Sequence, residues 1–294
     1  MSADAGALSV VARAVRRRKR VTTLGGSLAG QTVLAAVCLI VVAPCVFLFL
    51  GSFKSVGEFF TAPYDLPESW SLRNYREAWS SSSMGHAFVI SFIVTAASVL
   101  VSTAFAALAS FAIARLRFRG ATALQLIFLS GLMIPAQLII VAIFIEMREI
   151  RLLGTLWPLI IIYSTLAMPL GVLFLVGFFL AIPQQLTEAA TIDGAGTWRQ
   201  FADIVLPLAK APIFTVAILN SVWIWNDFFI PLIFSVRSNI QTVPVAILTF
   251  YGEYTTDYGL VFAGVVMSVI PVLVAYVLLT RQFIAGVTAG GIKG

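Results

Sequence analysis

A polar stretch between two long apolar segments carries the residues whose types and spacing best suit the recognition of another protein. The carboxylate of Glu188 can pair with a basic partner, and the small side chains that follow it allow another surface to approach closely. Glu188 begins a Glu-Ala-Ala triplet, and a glycine follows this triplet after three residues. Nine more residues separate the glycine from an Ile-x-Leu-Pro segment. The residues of this pattern are Glu188, Ala189, Ala190, Asp193, Gly194, Ile204, Leu206 and Pro207.

The same stretch predicts two short helices joined by a glycine turn. Pro183 or Thr187 can begin the first helix, because proline is pre-set for a first helical turn and threonine can cap one. Gly194 can end it, because glycine adopts the left-handed conformation common at helix ends. Thr197 and Gln200 have the spacing of a capping box for the second helix. We therefore expect an elbow with a charged, small-residue surface.

A second polar feature lies inside an apolar segment, where Asp227 is the only acidic residue. A charge within a membrane span costs about 3 kcal/mol on insertion scales, so it should face the interior, water or the outer interface. Asp227 can line a path for a polar solute, with Trp223 and Trp225 as stacking faces. Alternatively, it marks a helix end near the outer surface, since Pro231 follows. Candidate path residues are Asn220, Trp223, Asn226 and Asp227.

The sequence argues against several other kinds of chemistry. A histidine-based metal site is excluded because the chain has one histidine, His86. The two cysteines, Cys38 and Cys45, lie within one apolar segment, where small-residue packing is expected. No glycine-rich phosphate loop, nucleophile elbow or His-Glu-x-x-His motif is present. We therefore expect no catalytic residue, no metal site and no cofactor bound by this chain.

The composition is typical of a membrane protein with several spans. Of the 294 residues, 60% are hydrophobic and 11% are charged, against about 25% charged in soluble domains. The mean hydropathy is +0.99. A span needs about 20 apolar residues, and this criterion predicts an all-α protein with six transmembrane helices. The predicted spans are 28–50, 87–113, 121–145 (broken by Pro135), 156–180, 209–234 and 259–279.

The predicted organisation is a basic segment at 1–27, a membrane domain at 28–283 with a cytoplasmic loop at 183–208, and a tail at 284–294. The basic run precedes an apolar segment too long for a signal peptide, so it is expected to anchor the chain on the inner side. With the N-terminus inside, 13 of the 19 lysines and arginines lie on the inner side. The positive-inside rule therefore predicts that both termini and the loop at 183–208 are cytoplasmic.

The pattern that begins at Glu188 resembles the EAA loop of ABC importer permeases, in the Asp-Gly-Ala form common among sugar permeases. The segment 70–75 (Trp-Ser-Leu-Arg-Asn-Tyr) is similar to a Trp-Thr-Leu-x-Asn-Tyr element of that group. The segment 286–294 resembles its glycine-rich C-terminal ending. Together these similarities point to the maltose-transporter type of carbohydrate permease, from about residue 28 to the C-terminus.

The resemblance implies a type I ABC importer permease fold in a bacterial or archaeal inner (plasma) membrane. It implies a non-catalytic subunit that works with a second homologous permease, two copies of an ATPase subunit that bind ATP and Mg, and an extracytoplasmic solute-binding protein. Membrane lipid, but no nucleic acid, would contact the chain. The residues of the Glu188 pattern would contact the ATPase. The tail residues expected to reach between the ATPases are Thr288, Gly290, Gly291 and Lys293.

The outer loop at 235–258 suits contact with a binding protein through aromatic and acidic residues, although it can equally be a solvated connector. The candidate contacts are Tyr251, Glu253, Tyr254 and Asp257.

The sequence leaves other functions open. The solute can instead be a sugar phosphate such as glycerol phosphate. An ion-driven secondary transporter is a further alternative, although such proteins usually show repeated halves and several intramembrane charges. A membrane enzyme would need a catalytic constellation that the sequence lacks.

Overall fold

The computed structural model describes residues 29–81, 84–116, 118–235, 240–252 and 256–291. Within these ranges the chain is almost entirely helical and forms no sheet. This confirms the predicted all-α class. The basic segment expected to anchor the N-terminus lies outside the described residues.

The helices differ widely in length, and the long ones alternate with short helices at the two ends of the bundle. In chain order they are α1 (Ala29–Gly51), α2 (Val56–Thr61), α3 (Arg73–Ser81), α4 (Met84–Arg115), α5 (Ala121–Gly131), α6 (Ala136–Glu149), α7 (Trp157–Ala181), α8 (Gln184–Ile192), α9 (Thr197–Arg199), a π-helical turn (Gln200–Val205), α10 (Leu206–Leu208), α11 (Lys210–Asn226), α12 (Phe229–Ser235), α13 (Val243–Ile247), a 3-10 turn (Leu248–Phe250) and α14 (Tyr258–Gly291).

Four helices among the described residues are long and apolar enough to cross a membrane. They are α1, α4, α7 and, within α14, the segment Tyr258–Val277. Two bent pairs also meet the criteria when each pair is taken together: α5 with α6, and Thr197–Leu208 with α11. The described chain therefore has four to six candidate spans, which agrees with a multi-pass membrane protein of six predicted helices.

The centre of the bundle is the contact between α4 and α7. Four small residues of α4, spaced four apart, are completely buried there: Ser98, Ser102, Ala106 and Ser110. Gly171 of α7 packs so closely that a Cβ atom at this position would lie 2.7 Å from the Cβ of Ala106. Small residues on one helix face let two membrane helices approach closely and pack by van der Waals contact. We infer that the α4–α7 pair is the rigid frame of the protein.

The third predicted span, 121–145, is sharply bent in the structure. Helices α5 and α6 meet at 95°. Pro135 lies at the N-cap of α6 in an extended conformation. Because proline lacks an amide hydrogen and its ring clashes with the preceding turn, a helix tends to break at this position. The sequence predicted the position of the break at Pro135. The bend of 95° is too large for α5 and α6 to form one straight membrane span.

The fifth predicted span, 209–234, is divided in the structure. Helix α11 ends at Asn226, and Asp227 is extended. A carboxylate oxygen of Asp227 accepts a hydrogen bond from the amide of Ile230 at 3.1 Å, in the first turn of α12. Residues with short polar side chains favour such local bonds to the backbone over the continuation of a helix. The structure therefore places Asp227 at the end of a helix, which was one of the two interpretations of this residue.

The segment 235–258, which was expected to be a polar loop, contains a buried apolar helix in its described part. The proline of α13 lies in the first turn, where it costs no hydrogen bond. Val243 and Ala246 are completely buried, and Phe250 is also buried. The amide of Val243 donates to Ser91 Oγ of α4 at 2.9 Å. The expectation failed because the short apolar run is flanked by polar residues that lower its average hydropathy.

The last helix continues beyond the predicted end of the sixth span. The backbone of α14 is helical from Tyr258 to Gly291. The predicted tail at 284–294 therefore continues this helix as far as Gly291, and the three residues after it lie outside the described residues.

The Trp-Ser-Leu-Arg-Asn-Tyr element fastens the end of α1 to α3. The side-chain amide of Asn74 donates to the carbonyl oxygens of Ser52 at 2.8 Å and Lys54 at 2.9 Å. The hydroxyls of Tyr75 and Ser52 lie 2.6 Å apart. Lys54 is completely buried, and its amino group donates to two backbone carbonyls of the segment after α2. These bonds satisfy carbonyl groups that a helix end would otherwise leave unpaired.

Candidate coupling loop and transport path

The first arm of the elbow is α8, and it ends in a Schellman motif. Gly194 has φ +77°, a left-handed conformation that glycine adopts without strain. The amide of Ala195 donates to the carbonyl of Ala190 at 2.8 Å, and the amide of Gly194 donates to that of Thr191 at 3.1 Å. These are the two bonds that define the motif. The glycine of the Glu188 pattern is therefore needed for the reversal of the chain.

The predicted capping of the second arm by Thr197 is not observed. The N-cap of α9 is Gly196, and Thr197 is the first helical residue. The side-chain amide of Gln200 donates instead to the hydroxyl of Thr191 at 3.0 Å and the carbonyl of Ala195 at 2.9 Å. Gln200 therefore connects the second arm to the end of the first, and these two hydrogen bonds fix the angle between the arms.

The second arm contains a widened turn just before its proline. The amide of Leu206 donates to the carbonyl of Phe201, five residues back, as in a π-helix. Pro207 lacks an amide hydrogen, and in a regular α-helix its ring would clash with the carbonyl four residues back. A single π turn at such a position relieves this crowding. At Ala209 the helix bends by 76° into α11.

Aromatic and aliphatic side chains of the second arm attach the elbow to the bundle. Phe201 is buried, and its ring centroid lies 5.1 Å from that of Phe111 near the end of α4. Val205 and Ala209 are completely buried in the same apolar cluster. Burial of an aromatic side chain and its neighbours contributes several kcal/mol. The second arm is therefore part of the core and not a loose loop.

The outer surface of the elbow combines exposed apolar side chains with one carboxylate. Ile192 is 87% exposed and Trp198 is 69% exposed. Glu188 and Ala189 are also exposed. Ala190, by contrast, is only 9% exposed, so its small side chain serves the packing within the elbow and not the approach of another protein. Of the other pattern residues, Asp193, Gly194, Leu206 and Pro207 are exposed and Ile204 is half-buried.

Two of the candidate path residues, Trp223 and Asp227, form one small cluster with a residue that the sequence analysis missed. Tyr163 of α7 is completely buried, and its hydroxyl donates to Asp227 Oδ2 at 2.7 Å. The ring of Trp223 meets that of Tyr163 edge-on, with centroids 5.7 Å apart. A tyrosine within an apolar span is itself a signal, because a buried phenol needs a hydrogen-bond partner.

The two asparagines of the predicted path are placed differently from each other. Asn220 is buried and its amide lies 3.5 Å from the carbonyl of Ala167 in α7. Asn226 is exposed at the last turn of α11, and its amide donates to the carbonyl of Val222 at 2.7 Å. The structure therefore brings Trp223 and Asp227 together through Tyr163, while Asn220 lies within the α7–α11 contact.

The candidate contacts with other subunits are only partly within the described residues. Tyr251 is exposed and pairs with Thr256 in an isolated antiparallel bridge. Asp257 accepts a hydrogen bond from the amide of Leu260 at 3.1 Å and so caps α14. Glu253 and Tyr254 lie outside the described residues, as does Lys293. The backbone at Thr288, Gly290 and Gly291 belongs to α14.

Among the described residues, no group of three or more histidine, cysteine, aspartate or glutamate side chains is placed to hold a metal ion. The thiols of Cys38 and Cys45 are exposed on α1 and are not joined in a disulfide. Two polar clusters of the described chain lie outside the elbow: the Tyr163–Asp227 pair and the Lys54–Asn74 cluster.

Comparisons with known proteins agree with this arrangement. The family of binding-protein-dependent transport system inner membrane components matches residues 102–282. The diacetylchitobiose uptake system permease protein NgcG of Streptomyces coelicolor is 34% identical, over 86% of this chain and 84% of that protein. The melibiose/raffinose/stachyose import permease protein MelC of Bacillus subtilis is 33% identical, over 85% of this chain and 91% of that protein.

A solved structure has the same fold. It is the crystal structure of a bacterial ABC transporter involved in the import of the acidic polysaccharide alginate, with a TM-score of 0.76 and 20% identity, over 87% of this chain and 96% of that chain. With the family match over residues 102–282, these similarities establish what kind of protein this is. The chain belongs to the family of binding-protein-dependent transport system inner membrane components, and it is a non-catalytic, membrane-spanning permease subunit of an ABC importer.

Proposed function

We propose that this chain imports a carbohydrate together with a second, homologous permease, and that its elbow couples transport to a cytoplasmic ATPase. The observation that carries the proposal is the elbow at 183–208. Its inner side is fixed to the bundle by Phe201 and Val205, while Glu188, Ile192 and Trp198 are exposed on its outer side. A rigid projection with apolar and charged groups exposed is suited to dock in the cleft of another subunit.

The proposed orientation places the elbow in the cytoplasm of a bacterial or archaeal cell. The lysine and arginine count supports it, with 13 of 19 on the inner side. Both termini would then be cytoplasmic, and the Lys54–Asn74 cluster would lie at the outer surface. ATP and Mg would be bound by two copies of a separate ATPase subunit, and this chain would bind no cofactor.

The proposed mechanism is alternating access driven through the elbow. When the two ATPase subunits close on ATP, the docked elbow moves with its ATPase. Because Phe201 packs against α4, the movement reaches the α4–α7 frame and changes the side on which the translocation path opens. Burial of a side chain such as Ile192 would contribute about 1.5–3 kcal/mol to docking. Glu188 would add a contact with a basic residue of the ATPase.

The proposed substrate is a carbohydrate delivered by an extracytoplasmic binding protein. The names of NgcG and MelC support this class, since both proteins are named for the uptake of oligosaccharides. Trp223 offers an aromatic face and Asp227 a hydrogen-bond acceptor, which are groups suited to sugar rings and hydroxyls. Tyr251 and Asp257 would lie on the side that meets the binding protein. A sugar phosphate is the alternative, with its charge matched by the second permease.

The test is the uptake of labelled sugar by the reconstituted transporter when the charge on the elbow is reversed. Glu188→Lys should leave the protein inserted and assembled but reduce uptake at least tenfold. Glu149→Lys is the matched control, because Glu149 is an exposed carboxylate at the end of α6, away from the elbow. Unimpaired uptake in the Glu188 variant would overturn the proposal, and so would equal losses in both variants.

A further inference from the structure

The joint between α7 and the elbow is short and extended, and its two backbone hydrogen bonds are long, at 3.3 Å each. Ile182 and Pro183 both have extended backbones, with ψ 130° and ψ 127°. Pro183 has no amide hydrogen to donate to the last turn of α7. Two extended residues between helices form a joint about which α8 can swing unless another group holds it. Gln200 ties the far end of α8 to the second arm, so the stiffness of the first arm depends, in addition, on what holds its root at this joint.

A single arginine from another helix holds both sides of the joint. Arg115, the last residue of α4, donates from Nη2 to the carbonyl of Phe179 at 2.5 Å and to that of Ile182 at 2.6 Å. Phe179 lies in the last turn of α7, and Ile182 follows its end. Hydrogen bonds from a charged donor are the strong ones, and a cation suits the negative end of a helix dipole.

The same end of α4 also holds the second arm of the elbow. Phe111, one turn before Arg115, packs against Phe201. The root of the first arm is thus held by a polar contact and the second arm by an apolar one, both from the last two turns of α4. The two contacts together make the elbow one body with the α4–α7 frame.

We propose that Arg115 is a positioning residue for energy coupling: it locks the α7–α8 joint so that movement of the docked elbow turns the helix bundle. The inference rests on the proposed function, in which the elbow receives its movement from an ATPase. Without Arg115, the first arm would move with the ATPase while the joint at Ile182 and Pro183 absorbs the movement. ATP hydrolysis would then continue with little transport.

The fold itself should tolerate the loss of this side chain. The Nε atom of Arg115 is buried and has no hydrogen-bond partner among the described residues. An unpaired buried donor is unfavourable, so it offsets part of what the two bonds contribute. The α4–α7 contact along Ser98, Ser102 and Ala106 does not involve the arginine. A variant at Arg115 is therefore expected to assemble.

The experiment measures sugar uptake per ATP hydrolysed in the complete, reconstituted transporter with Arg115→Ala, Arg115→Lys and Arg119→Ala. Arg119 is the matched control, an exposed arginine four residues after Arg115, and its removal changes the net charge of the protein by the same amount. Uptake per ATP should fall at least tenfold in Arg115→Ala and stay within twofold in Arg119→Ala. Arg115→Lys should recover part of the loss, because an ammonium group can also donate to both carbonyls.

A second measurement tests the joint without any transport. Hydrogen exchange of the purified permease should show at least tenfold faster exchange at the end of α7 and in α8 for Arg115→Ala, but not for Arg119→Ala. Unchanged exchange together with unchanged uptake per ATP would overturn the inference. If Glu188→Lys abolishes uptake while Arg115→Ala has no effect, only this inference fails. If Glu188→Lys is harmless, the proposed function itself fails.

Discussion

The substitution Gly194→Ala isolates the backbone geometry of the elbow from its contacts. Gly194 has φ +77°, and a Cβ atom added there would meet nothing within 4 Å. The whole cost of an alanine is therefore conformational. A left-handed backbone costs a residue with a Cβ atom about 1–2 kcal/mol. This cost corresponds to a factor of about 5–30 in the equilibrium between the closed and the opened turn.

Gly196→Ala provides a control two residues away. Gly196 also has open space around its Cβ position, but its φ of −66° suits any residue. Alanine there should be close to neutral, because the gain of about 0.4–1 kcal/mol from a less free unfolded chain is offset by the loss of a better N-cap residue. The two substitutions add the same atoms to the same turn, and only Gly194→Ala should destabilise it.

The assay is hydrogen exchange, read by mass spectrometry over the peptide that contains the turn. The amides of Gly194 and Ala195 donate the two bonds of the Schellman motif. Their exchange should become about 5–30-fold faster in Gly194→Ala and should not accelerate in Gly196→Ala. Gly194→Asn should lie between, because asparagine tolerates the left-handed region. Equal exchange in both alanine variants would refute the reasoning.

Two further predictions concern the α4–α7 frame and the contact between the end of α1 and α3. Gly171→Ala should lower the thermal stability of the permease by several degrees, because the added Cβ atom would lie 2.7 Å from the Cβ of Ala106. Gly177→Ala on the same helix is the control: its Cβ atom would meet nothing within 4 Å, so the substitution should be neutral. Asn74→Ala should cost about 1–3 kcal/mol, because it removes hydrogen bonds to the carbonyl oxygens of Ser52 and Lys54. Thermal unfolding in detergent measures both, and a Gly177 variant as unstable as Gly171→Ala, or an unchanged Asn74 variant, would contradict them.

Much of the elbow could be predicted from the sequence because its geometry is set locally. The glycine of the Glu188 pattern was expected to end a helix, and φ at Gly194 confirms this. Pro183 was expected near the helix start and lies at the N-cap of α8. The Thr197–Gln200 spacing predicted a capping box, which was wrong because Gly196 occupies the cap and Gln200 bonds to the first arm.

The contacts that fix the elbow could not be predicted, because they join residues far apart in the chain. Arg115 and the carbonyls that it binds are separated by 64 and 67 residues, and Tyr163 and Asp227 by 64. Hydropathy along a window likewise gave one span for α11 and α12, although a side-chain bond at Asp227 ends the first of them. Local patterns reveal the helices, and local features such as Pro135 and the Asp227–Ile230 bond break them, but tertiary hydrogen bonds decide what holds the helices together.

The most direct test of the central claim is photo-cross-linking in membranes that contain the whole transporter. A photoreactive amino acid at Ile192, which is 87% exposed on the elbow, should form an adduct with the ATPase subunit. The same group at Tyr64, which is 86% exposed after α2 at the opposite end of the protein, should form none with the ATPase. An ATPase adduct from Ile192 alone is the predicted result. Failure of Ile192 to reach the ATPase, or an adduct from Tyr64 instead, would contradict the coupling role of the elbow.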